Sequence, residues 1–141
     1  MTRLAALLLA TLALALQAPD SLACGYCIED KIASVYDHAA ITRALAKKHH
    51  IAFFALDGKL ATGANANRAL EQIAESISGA DAGGARASSE SASLSVAFDP
   101  SRTSYSTLMK ELEKRLARKG ISPLPLRIMD RPADLKALVR S

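Results

Sequence analysis

The stretch Leu94-Ser95-Val96-Ala97-Phe98-Asp99-Pro100 alternates large apolar residues with small or polar ones. Period two marks a strand with one buried face, here Leu94, Val96 and Phe98, and Asp99-Pro100 ends it. Upstream, residues 80–91 are rich in Gly, Ala and Ser and read as a loop, with a weak edge strand around Ala85–Ser88. Before that, residues 65–78 predict a helix with Leu70, Ile73, Ala74 and Ile77 on one face, Asn65 or Asn67 as its cap and Gly79 as its stop. The compact apolar run Ile51–Leu56 reads as a buried central strand closed by the turn pair Asp57-Gly58. Downstream, Thr103 or Ser104 caps a helix whose stripe is Tyr105, Leu108, Leu112 and Leu116, and Gly120 terminates it. Leu124, Leu126 and Ile128 then alternate again. Pro123 and Pro125 cannot donate to a ladder, which puts this last strand at a sheet edge.

From residue 51 to 129 the expected order is strand, helix, weak strand, strand, helix, strand. That order predicts an α+β fold with a ferredoxin-like βαββαβ module. In such a module the second and fourth strands are the edges, which agrees with the poor hydrophobicity of the one and the prolines of the other. The run Leu94–Pro100, the capped helix ending at Gly120 and the closing strand resemble the second half of a heavy-metal-associated (HMA) domain. The resemblance covers residues 51–129 and implies a metal-binding function. That family carries its metal-binding CxxC in the loop after the first strand. Here the loop is Asp57-Gly58-Lys59-Leu60-Ala61-Thr62-Gly63-Ala64, without cysteine, so no family ligand transfers to it.

Residues 24–50 are expected to form an N-terminal helical segment. Ile28, Ile32, Val35 and Ala39 share one helical face, whereas Ile41 and Leu45 lie off it, with Asp37 at the change of phase. Two short helices hinged near Asp37 and one long helix with a rotated stripe both fit this pattern. A short C-terminal helix is expected within residues 130–141, starting at Pro132.

The chain has 141 residues, half of them hydrophobic, with a net charge of +4 and two cysteines. Part of the apolar content is concentrated in residues 4–16, an uncharged run that follows Arg3 and precedes Ser21-Leu22-Ala23. This is the pattern of a secretory signal peptide over residues 1–23. The run is shorter than the roughly 20 residues of a spanning helix, so no membrane insertion is expected once the leader is removed. The expected location is periplasmic or secreted. Cleavage after Ala23 would make Cys24 the first residue. Lipid attachment there is disfavoured, because Ser21 stands where a lipoprotein signal normally has Leu. An exported protein rarely meets nucleic acid. The basic residues Lys110, Lys114 and Arg118 therefore read as the solvated face of a helix.

Cys24-Gly25-Tyr26-Cys27 is the constellation with chemical content. Spacing of three brings both sulfurs to one side of a first helical turn, where the helix dipole favours thiolate. Two thiolates so placed suit Cu(I), and with nitrogen ligands added they suit Zn(II). His49 and His50 are the candidate co-ligands, provided the chain turns back near Asp37. His38 lies 11 residues past Cys27, about 16 Å along a straight helix, and reads as a surface residue. The function expected is binding or transfer of a soft, copper-like metal ion, with no organic cofactor. Its partner would be a metal-handling or thiol-handling protein. The alternative is a thiol-redox or partner-docking protein in which Cys24 and Cys27 form a disulfide, as oxidising compartments favour. Enzymatic signatures are thin: there is no Gly-x-Ser-x-Gly and no glycine-rich phosphate loop.

Overall fold

A computed structural model describes residues 23–132 and residue 134, and for 23–27 the backbone alone. The expected leader, and most of the expected C-terminal helix, lie outside the described residues. The elements are α1 (Ala23–Ser34), α2 (His38–Ala46), β1 (His50–Gly58), α3 (Ala64–Glu75), β2 (Ala80–Ser88), β3 (Ser93–Phe98), α4 (Tyr105–Ala117) and β4 (Ile121–Met129). The fold is α+β, with one four-stranded antiparallel sheet in the order β2-β3-β1-β4.

The helical segment before β1 is two helices. Asp37 has an extended backbone, and its carboxylate accepts the N–H of Ala40 at 2.9 Å, an N-cap that starts α2 afresh. The α2 stripe is Ala40, Ile41, Ala44 and Leu45, all buried. Two residues of the expected first stripe, Ile28 and Ala39, are exposed instead.

The sheet carries helices on both faces. On one face, α3 and α4 bury Leu70, Ala74, Leu108, Leu112 and Leu116 against Ala52, Phe54, Leu56, Leu94, Val96 and Phe98. On the other, α1 and α2 bury Ile32, Val35, Ile41 and Leu45 against Ile51, Phe53, Ala97 and Met129. The second layer corrects the reading of β3 as a strand with one buried face. All six of its residues are buried. Its polar positions are satisfied from the end of α1 and the residue after it: Ser34 Oγ pairs with Ser93 Oγ at 2.6 Å, and Ser95 Oγ donates to the carbonyl of Val35 at 3.1 Å. β1 is the buried central strand expected, hydrogen-bonded to β3 and β4.

Three further expectations need correction. β2 runs over nine residues rather than a weak 85–88. Ala80 pairs with Phe98 and Ala85 with Val96, so Asp81–Gly84 form a wide bulge opposite the single residue Ala97. The composition of this strand gives it few apolar contacts, and α3 compensates. Asn67, Glu71 and Glu75 accept the backbone N–H groups of Ser89, Ala87 and Ala85 at 2.8, 3.1 and 3.2 Å. Four residues of helix rise about 6 Å and two residues of strand about 6.7 Å, so the two rows run in step. Secondly, α3 is not capped by Asn65 or Asn67. Its N-cap is Gly63 at φ +106°, without a side-chain cap, and Asn67 serves the β2 edge instead. Thirdly, in β4 the buried positions include Ile121, Pro123 and Met129, whereas Leu124 and Ile128 are exposed. A register shift opposite Phe53/Phe54 changes the pleat midway. The edge position expected from its prolines is observed.

Candidate functional site

Cys24 and Cys27 are the second and fifth residues of α1, and the helix begins one residue before the motif. Their side chains lie outside the described residues. The helix that carries them is fixed to the sheet by polar contacts along its length. Glu29 pairs with Arg127 of β4 at 2.6 Å. Lys31 Nζ donates to the carbonyls of Ser91 and Ala92 at 2.6 and 3.2 Å, in the β2–β3 turn. Ser34 and Val35 engage Ser93 and Ser95. Together with Ile32 and Val35 in the core, these contacts define where the N-terminal turn stands.

His49 and His50 are placed on different faces. His50 opens β1, and its ring packs edge-on against Phe98 with centroids 5.6 Å apart, toward α3 and α4. His49 turns the other way. Its Nδ1 stands 2.9 Å from both carboxylate oxygens of Asp81, and its Nε2 is 3.8 Å from Asp99 Oδ2. Alternation along an extended chain explains the split. The two histidines therefore have separate partners, Asp81 for His49 and Phe98 for His50. Glu29, two residues past Cys27, reaches β4, whereas His49 is tied to β2 and the end of β3. β2 and β4 are opposite edges of the sheet. His38 is exposed at the helix junction, with Tyr36 Oη 3.2 Å from its Nδ1.

The sequence reading missed Asp81 and gave Asp99 no role beyond ending a strand. The bulge delivers Asp81. A Cβ on Gly84 would stand 2.7 Å from the Cβ of Asp81 and 3.1 Å from that of Ala97, so glycine is required where the strand folds back on itself. The pair Gly83-Gly84 was the available signal, since glycine inside a strand often marks a bulge. Asp99 Oδ1 accepts from the hydroxyl and the backbone N–H of Ser101 at 2.6 and 2.9 Å. Those bonds, led by the hydroxyl and helped by His49, hold the Asp99 carboxyl below its ordinary value.

A third polar group closes the α1–α2 junction. Arg86 of β2 donates from Nε to Asp37 Oδ2 at 2.8 Å, and its Nη2 is ion-paired with the same oxygen at 2.8 Å. The N–H of Ala40, with Arg86 beside it, lowers the Asp37 pKa. Among the described residues, no three His, Cys, Asp or Glu side chains are arranged to hold a metal ion. No helix among them is long and apolar enough to cross a membrane. Comparison with protein-family models, curated proteins and solved structures found no match.

Proposed function

We propose that the protein binds or transfers a soft, copper-like metal ion through Cys24 and Cys27 and is exported by the leader over residues 1–23. One observation supports this reading most: both cysteines fall, at a spacing of three, in the first turns of a helix that begins at Ala23 and is anchored to the sheet. A helix N-terminus stabilises thiolate, and a pair of thiolates selects Cu(I) over harder ions. The ligand set proposed is the two cysteines alone, because Asp81 engages His49 and His50 packs on Phe98.

We read the module over residues 51–129 as ferredoxin-like and HMA-like. Its support is the sheet order β2-β3-β1-β4 together with the chain order β1-α3-β2-β3-α4-β4. The loop after β1 has no thiol, so the proposed metal chemistry sits on α1, an addition to that module. The partner proposed is a metal-handling or thiol-handling protein.

The test is anaerobic titration of the reduced protein with Cu(I) and Zn(II) against a competing chelator. Sub-micromolar binding that disappears in Cys24→Ser and Cys27→Ser supports the proposal. Absence of binding, with a Cys24–Cys27 reduction potential between roughly −120 and −270 mV, replaces it with thiol exchange. Absence of binding with a potential well below that range leaves a structural disulfide.

A further inference from the structure

We propose that the seam between α3 and α4 binds a small anionic amphiphile, with a phosphate-class head and a short aliphatic tail. Two cavities lie along this seam. One, of about 130 Å³, is lined by Leu60, Ala61, Ala66, Ala69, Leu70 and Ile121, with Lys119 as its one charged lining residue. The other, of about 360 Å³, is lined by Ile73, Ser76, Arg115, Arg118 and Lys119. Ala69 and Ile73 are four residues apart on α3, about one helical turn, and Lys119 lines both cavities. An apolar end and a cationic end therefore adjoin across one side chain, whose aliphatic stem suits the first and whose ammonium suits the second.

The cationic end has donors to offer. Arg115 is anchored through Nη1, which donates to Ser76 Oγ at 2.8 Å, and Ser76 Oγ donates in turn to the carbonyl of Ile73 at 2.7 Å. Arg115 Nε is buried without a hydrogen-bond partner, since Glu111 Oε2 stands 3.7 Å away, beyond hydrogen-bond distance. Most of the guanidinium fork thus lacks an acceptor, and that fork matches a pair of phosphate oxygens. Arg118 and Lys119 form no ion pair among the described residues. No carboxylate lines either cavity. The acids of α3 are turned to the other side, where Glu71 and Glu75 accept backbone N–H groups of β2. Cations near a helix C-terminus also offset its dipole, which accounts for the charge at this end of α4 but not for the apolar cavity beside it.

The seam lies on the face of the sheet opposite α1 and α2, so this inference stands apart from the cysteine chemistry. The protein is titrated with hexyl phosphate and, separately, with inorganic phosphate by isothermal calorimetry, and amide NMR shifts locate the site. Hexyl phosphate should bind saturably and at least about 10-fold more tightly than inorganic phosphate, since each buried methylene contributes about fourfold. Its shifts should centre on Ala69, Ile73 and Arg118. The double variant Arg118→Glu/Lys119→Glu, at two exposed positions, should abolish binding of both probes. Ala69→Leu fills the apolar end with another strong helix former, and should erase the advantage of hexyl over inorganic phosphate. Equal affinity for the two probes, an advantage that survives in Ala69→Leu, or no saturable binding at millimolar hexyl phosphate would each overturn the proposal.

Discussion

The carboxylate of Glu75 accepts the backbone N–H of Ala85 at 3.2 Å, and so closes one point of a sheet edge with a helix side chain. Glu71 and Asn67 do the same for Ala87 and Ser89. An edge strand with free N–H groups is a template for pairing with another chain. Replacing both Glu71 and Glu75 with Ala should therefore have two effects. Unfolding free energy should fall by about 1–3 kcal/mol, since water recovers part of each lost bond to a charged acceptor. The variant should also self-associate at concentrations where the parent does not. Chemical denaturation and size-exclusion chromatography measure the two separately. A destabilised variant that stays in the parent's association state would show that the acceptors serve stability alone.

The second apolar layer predicts an asymmetry along the chain. Phe53 is 1 % exposed between the sheet and the α1–α2 pair, whereas Leu124 on β4 is 50 % exposed. Phe53→Ala should cost about 3–5 kcal/mol by loss of burial plus an unfilled cavity. Leu124→Ala should stay within about 0.5 kcal/mol. If α1 and α2 were loosely attached, Phe53→Ala would cost no more than an exposed substitution. Thermal or urea unfolding of the two variants decides this.

How far these features were legible in the sequence follows from what each element's neighbours do. β1 and α4 read correctly because their apolar residues face a core that their own spacing implies, and Ser104 caps α4 through the N–H of Thr107. β2 did not, because its stability comes from donors satisfied by Asn67, Glu71 and Glu75, a helix away in the chain. β3 looked one-sided because small or polar residues alternate with Leu94, Val96 and Phe98, yet Ser93 and Ser95 are both buried, bonded to Ser34 and Val35 in a way that no local pattern announces. The same holds for His49. Its place ahead of β1 made it a candidate co-ligand, and its partners, Asp81 and Asp99, are 32 and 50 positions away.

Gly84 gives a backbone prediction. Gly84→Ala places a methyl 2.7 Å from the Asp81 Cβ and 3.0 Å from the Asp81 carbonyl oxygen, closer than atoms approach without movement. The bulge must shift, and Asp81 moves with it. Stability should fall by about 1–3 kcal/mol, and the His49 ring resonances should change, because Asp81 faces its Nδ1. Gly83→Ala is the control. Its added Cβ meets nothing within 4 Å, so any cost there is the backbone strain of φ +67°. Unchanged His49 resonances in Gly84→Ala would mean that Asp81 is held independently of the bulge.

Asp37 sets the last prediction, a dependence on acid. The N–H of Ala40, with the Arg86 guanidinium beside it, lowers its pKa in the folded protein below the ordinary 3.8. Between the two values the unfolded chain binds the proton and the folded chain does not, so stability rises with pH there. The contribution is fully present above about pH 4 and is lost as pH falls through the folded value. Asn caps a helix as well as Asp does, so Asp37→Asn preserves α2 and removes only the charge. Its cost at neutral pH should be no more than about 1 kcal/mol, because the pair is partly exposed and solvent screens it. Unfolding free energies measured from pH 2.5 to 7 should show a shallower acid limb for Asp37→Asn, with the two curves converging below the folded pKa. Parallel curves over the whole range would place the acid sensitivity at other carboxylates, Asp99 first among them, since its pKa is also lowered.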